Sequence, residues 1–213
     1  MNRSITVNIQ SSIRISGSKT VCFDPWKLSE SYPADAVFIT HDHFDHFSPE
    51  DIKKTAGEKT LIVFPACMSE KINEMSLPTA RLLPVVPGKA YSDGDISFLT
   101  VAAYNPNKPF HPKDAGYCGY CVKLDGDDVF VTGDTDATPE NEAVSCDILL
   151  IPIGGKYTMD VPQAAELTCR IKPKLVIPTH YGEVVGSADD GKAFEDAVLK
   201  KDPEIKVQII LHS

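Results

Sequence analysis

Ala36-Val-Phe-Ile-Thr40 runs straight into His41-Asp-His43-Phe-Asp45-His46, and the rest of the chain is organised around this stretch. An apolar run closing on Thr predicts a buried strand, so three His and two Asp stand where that strand ends. Residues i and i+2 of an extended segment point the same way. His41 and His43 therefore converge on one ion, while Asp45 and His46 turn toward a neighbouring one. The chain's own His and Asp frequencies give on the order of 10⁻³ chance occurrences of His-x-His-x-Asp-His, so composition does not account for it. The alternative is a polar turn rich in His.

The strand-then-ligand arrangement recurs twice. Tyr117 to Leu124 and Asp128 to Thr132 predict a hairpin through Asp125-Gly126-Asp127, and its second strand delivers Gly133-Asp134. An acid at a strand end, after a Gly that permits close backbone approach, suits a carboxylate placed between two cations. Leu175 to Pro178 predicts a further buried strand with His180-Tyr181-Gly182 at its end, which makes His180 either a ligand or a satisfied buried His. Asp136 reads as a turn or capping acid.

His41-x-His43-x-Asp45-His46, Gly133-Asp134-Thr135 and Pro178-Thr-His180-Tyr-Gly182 together resemble the metal-binding motifs of the metallo-β-lactamase superfamily. The resemblance spans positions 41 to 182. It implies an α/β fold, the four-layer αβ/βα sandwich, with a dinuclear metal site on the sheet edges and hydrolysis of lactams, thioesters, lactones or phosphodiesters. Ala103-Tyr-Asn105, His111-Pro-Lys113 and Ile153-Gly-Gly-Lys-Tyr-Thr-Met-Asp160 further resemble the compact hydrolases related to L-ascorbate-6-phosphate lactonase. The ligand set that follows is His41, His43 and His111 on one metal, Asp45, His46 and His180 on the other, and Asp134 bridging. The role of His111 comes from the resemblance; on residues alone it is a wall or surface His in a long Pro-rich loop, 104 to 114.

Length and composition set the frame. A chain of 213 residues with 42% hydrophobic content supports one large core, and a single domain over 1–213 is expected. Its net charge of −9 and lack of any basic run argue against nucleic acid, anionic lipid or a polyanionic substrate. Neither an apolar signal core at Met1 to Val7 nor a membrane-length apolar stretch is present, so a cytoplasmic protein acting on a small molecule is expected. The sequence leaves homo-oligomerisation open. The six cysteines read mostly as buried thiols, and Cys118-Gly-Tyr-Cys121 lies in a strand where i and i+3 face opposite sides.

The remaining elements alternate as an α/β chain does. Ser4 to Gln10, Ser12 to Ser16 and Thr20 to Phe23 predict an antiparallel meander; Asp24-Pro25 then either supports a ligand imidazole or makes an ordinary turn. Ser48-Pro49-Glu50-Asp51 opens a helix to about Ala56. Strands are expected at Thr60 to Phe64, Leu82 to Val86, Asp95 to Ala103, Cys146 to Ile153 and Ile205 to Leu211, with helices at Ala66 to Met75, Pro162 to Ile171 and Phe194 to Leu199. Asp160 reads as a helix cap, and His212 as irrelevant.

Imidazole and carboxylate ligands without thiolate suit Zn²⁺, Mn²⁺ or Fe²⁺. Two such ions share and acidify a water, and the expected reaction is attack of that hydroxide on a small-molecule ester or lactone, phosphorylated or not, with Asp45 and Asp134 as catalytic carboxylates. Asn105, Lys113, Lys156, Tyr157 and Tyr181 are the candidate substrate contacts. A metal-dependent phosphodiesterase and a non-catalytic metal-binding protein are the two alternatives.

Overall fold

The computed structural model describes residues 3–77 and 81–211; His212 lies outside them. The chain opens with β1 (Ser4–Val7), β2 (Ile13–Ser16) and β3 (Thr20–Phe23), paired antiparallel as their alternation requires. β4 (Ala34–Phe38) joins β3 in parallel, followed by β5 (Ala56–Pro65) and β6 (Arg81–Val85), to complete a six-stranded sheet in sequence order. α1 (Pro49–Thr55) starts where Ser48 Oγ accepts from the Asp51 amide, with Pro at the first turn, and α2 (Ser69–Glu74) follows a single 3₁₀ turn.

The second sheet has seven strands in the order β13-β12-β11-β10-β9-β8-β7. They are β7 (Ala90–Asp93), β8 (Ile96–Ala102), β9 (Cys118–Leu124), β10 (Asp127–Val131), β11 (Ile148–Pro152), β12 (Leu175–Thr179) and β13 (Lys206–Val207). β7 to β10 are antiparallel, and β10 to β13 parallel. Three helices accompany this sheet: α3 (Pro139–Glu142), α4 (Val161–Ile171) and α5 (Asp190–Lys201). α4 begins with a full capping box between Asp160 and Gln163.

Burial sorts these elements into four layers. Phe23, Phe38, Phe98 and Tyr120 meet between the sheets, with Phe38 in ring contact with the other three at 5.0–5.1 Å. Ile52, Met68 and Ile72 close α1 and α2 onto Val37 and Ile62 of the first sheet. Leu167, Phe194 and Val198 close α4 and α5 onto Leu149 and Val176 of the second. β11 is buried along its whole length because it is covered on both faces. The fold is a mixed α/β two-sheet sandwich.

The departures from expectation are local. β7 and α3 were not foreseen, α5 runs six residues past the expected helix in total, and the strand expected over Ile205 to Leu211 shrinks to two residues. Asp136 is not a cap: Thr138 caps α3, and Asp136 pairs with Lys108 at 2.5 Å. Only Cys22 and Cys118 of the six cysteines are buried outright, and Cys67 is exposed, which corrects the expectation of mostly buried thiols. No helix among the described residues is long and apolar enough to cross a membrane.

Candidate metal centre

The parallel pairings decide where the chemistry gathers. β3 and β4 run the same way, and β8, β10, β11 and β12 share one direction in the other sheet, so their carboxyl ends form common edges. Ligand sites in open α/β sheets lie at such ends. Asp24 follows β3, His41 to His46 follow β4, His111 follows β8, Asp134 follows β10 and His180 follows β12. Three bonds stitch the edges together: Tyr120 Oη donates to the Ile39 carbonyl at 2.7 Å, the Cys118 amide to Thr40 at 3.1 Å, and the His180 amide to Gln10 at 2.9 Å. Gly133 has φ +65°, and a Cβ there would sit 3.1 Å from that of Thr40; glycine lets Asp134 come this close to the His loop.

Two donor groups result, joined by a third made of His41, His46 and Asp134. His41 Nε2 and His111 Nε2 each lie 3.1 Å from His43 Nδ1. Asp45, His46 and His180 form the second group, with His180 Nε2 3.3 Å and His46 Nε2 3.7 Å from Asp45 Oδ2. Asp134 stands between them: its carboxylate is 3.0 Å from His180, 3.3 Å from His46, 3.6 Å from His111 and 4.0 Å from His41.

The imidazoles are held in the form that ligation needs. His46 Nδ1 donates to Asp24 at 2.7 Å and His111 Nδ1 to Asn105 Oδ1 at 2.7 Å. Thr40 Oγ1 gives its proton to Asp24 at 2.6 Å and so accepts from His41 Nδ1 at 2.9 Å. Each Nε2 lone pair is thereby turned inward. His46 Nε2, His180 Nε2 and Asp134 Oδ1 are buried without a hydrogen-bond partner, which is costly unless a cation fills the space between them. The residues fit a pair of divalent ions.

Electrostatics point the same way. Burial opposes ionisation of Asp134, yet His180 and His46 hold its carboxyl well below the usual range. Burial also opposes a charged His180, and Asp134 and Asp45 nonetheless raise it to about 9. His111 falls to about 4 through burial, and His41 is driven far down by burial and the adjacent His46. Without metal the carboxylates gather protons on His46 and His180; divalent cations would replace those protons.

A cavity of about 240 Å³ opens beside the donors, lined by His43, Asp45, Asp134, His180, Phe44, Phe110, Tyr157 and Val184. All seven expected ligands and Tyr157 therefore reach one site. The other expected substrate contacts do not line the cavity. Asn105 is buried and spent on His111. Lys113 points away, to Glu140 at 2.6 Å. Lys156 is exposed and outside the lining, its ammonium 5.0 Å from the Tyr157 ring centroid. Tyr181 is a core residue packed against α5, because His180 at φ +58° reverses the chain and sends the next side chain inward. Asp24 proves to be the His46 partner rather than a plain turn; Phe44 and Val184 went unmarked because apolar loop residues carry no motif.

The sequence profile of the β-lactamase superfamily domain matches residues 5–180. The chain belongs to this superfamily. Among relatives named UPF0173 metal-dependent hydrolase, that of Thermococcus onnurineus is 28% identical over 201 residues, 88% of each chain. That of Myxococcus xanthus is 30% identical over 190 residues, 80% of this chain and 66% of its own. A solved protein of Parabacteroides distasonis superposes with TM-score 0.84 at 28% identity, over 99% of this chain and 94% of that one. Igni18, a metallo hydrolase of Ignicoccus hospitalis, shares the fold at TM-score 0.77 and 21% identity, over 98% and 95%. The superfamily member described here is thus placed among metal-dependent hydrolases.

Proposed function

We propose that the protein hydrolyses a small ester or lactone at a dinuclear centre, with His41, His43 and His111 on one ion, Asp45, His46 and His180 on the other, and Asp134 between. The observation that carries this reading is the convergence of both donor groups on Asp134 beside an open cavity. Divalent ions bound there would acidify a water and polarise the electrophile's oxygen.

The chain's own residues supply the remainder. Asp45 lines the cavity, and its carboxyl is kept ionised: burial opposes the charge, but His180 outweighs it. It is placed to take the proton of the attacking water and return it to the leaving oxygen. Asp24, Thr40 and Asn105 fix the rings of His46, His41 and His111, so that no reorganisation accompanies the reaction. The open cavity argues against a closed structural metal site.

The test is hydrolysis of a lactone and ester panel, alongside a bis-aryl phosphodiester, before and after chelation. Chelator-sensitive turnover of an ester or lactone supports the proposal. Preference for the phosphodiester replaces it with a phosphodiesterase, and metal binding without turnover of any substrate leaves a binding protein.

A further inference from the structure

We propose that Phe44 and Phe110 form an aromatic clamp over the cavity that selects a neutral, apolar substituent on the substrate; this rests on the hydrolase reading above. Phe44 is 66% and Phe110 37% exposed, large apolar surface left in water, and both line one cavity. Each ring packs on a second aromatic side chain. Phe44 meets Trp26 edge-on at 5.9 Å and Phe110 meets Tyr157 edge-on at 4.6 Å, so neither depends on a ligand for its position. Two rings from two loops, β4 to α1 and β8 to β9, thereby line the same cavity as an apolar side chain, Val184.

Charge selects in the same direction. No Lys or Arg lines the cavity, among the described residues. Of the lysines in the surrounding loops, Lys27 pairs with Glu183 at 2.7 Å, Lys108 with Asp136 and the Thr158 carbonyl at 2.5 Å, and Lys113 with Glu140, while the exposed Lys156 lies outside the lining with its ammonium over the Tyr157 ring at 5.0 Å. In the proposed centre Asp45 and Asp134 would hold the ions, so the positive charge sits at the reacting end of the substrate and the aromatic part of the lining supplies none. A phosphate or carboxylate at the end of the substrate remote from the reacting carbonyl would lie against aromatic rings, with no cation in the lining and only the solvated Lys156 outside it, and its desolvation would be poorly compensated. At about 240 Å³ the cavity is also just below the usual range for ligand pockets, about 300–1,000 Å³, which fits a short acyl or aryl group.

The experiment uses two esters of equal chain length and leaving group, p-nitrophenyl hexanoate and p-nitrophenyl hemiadipate, on metal-loaded protein and on its Phe44→Ser and Phe110→Ser variants. The clamp predicts a kcat/KM about 10-fold or more higher for the hexanoate, and a similar fall in each variant through KM, at unchanged metal content. Equal or better use of the hemiadipate, or an unchanged KM in both variants, overturns it. Trp26, the chain's one tryptophan, gives a second readout without turnover: the non-hydrolysable 4-phenyl-2-butanone should perturb its fluorescence saturably, and about 10-fold more weakly in Phe44→Ser. Ketone binding with neither ester hydrolysed keeps the clamp and removes the reaction; no ketone binding overturns the clamp itself.

Discussion

At the scale of the residue, Asp134 and Asp24 do different work with the same carboxylate. Asp134 faces the inward nitrogens of four imidazoles, whereas Asp24 has every oxygen occupied, by the Thr40 amide and hydroxyl and by His46 Nδ1. Asp134→Asn should therefore abolish hydrolysis and leave cooperative unfolding intact, read by turnover and a urea melt; full activity would sink the dinuclear assignment. Asp24→Asn keeps the shape, and Asn tolerates the φ of +44° found here. It should weaken metal binding by about 10–100-fold, measured by competition with a chromogenic chelator, because Asn no longer enforces the His46 tautomer. His111→Ala should lose about 10-fold or more in affinity at one metal only; equal loss at both would place His111 differently.

At the scale of the element, two contacts hold the site loops in register. Asp51, in the first turn of α1, accepts from the amides of Lys27 and Leu28 at 2.9 and 3.1 Å and pairs with Lys54, tying the segment after Asp24 to the helix that follows His46. Burial works against its charge, but the bonds from Lys54, Ser48 and those amides pull its pKa down. A depressed carboxyl contributes stability above its unfolded pKa, about 3.9, and loses that contribution as pH falls through the folded value. Asp51→Ala should cost about 1–3 kcal/mol in a urea melt at pH 7, and the gap to the native protein should narrow by pH 3. A gap independent of pH would mean that the charge is idle. Gly154, just beyond β11, is the second contact: a Cβ there would lie 2.3 Å from the His180 carbonyl. Gly154→Ala should push His180 off its position and cost about 1–3 kcal/mol together with metal affinity. Retention of both would show that the loop yields freely.

At the scale of the whole molecule, the strands and the donor residues at their ends were legible in the sequence because they obey strong local rules. A buried strand is an apolar run, and His41 to His46, Asp134 and His180 sit at three such ends. What escaped was set by tertiary context. β7 alternates between exposed and half-buried residues and offers no apolar signal, and α3 is four residues long, too short for periodicity despite its Thr138-Pro139 start. Lys113 was legible as a neighbour of His111 in sequence, but a 3₁₀ turn at Lys113–Ala115 aims it at Glu140 of that unforeseen helix. The resemblance implied how the donors would divide between two ions, and the structure supplies the cavity beside them. Because both sheets contribute donors, metal should also brace the sandwich: with both sites at 100-fold over Kd, loading should raise the Tm by about 10–20 °C relative to chelated protein.

The most direct measurement is the metal content per chain of protein purified without a His tag, for the native chain and for Asp134→Asn and His180→Ala. Two ions per chain in the native protein, with both substitutions lowering that figure, is the result the dinuclear account requires. No bound metal in the native chain, or a content that neither substitution changes, would contradict it.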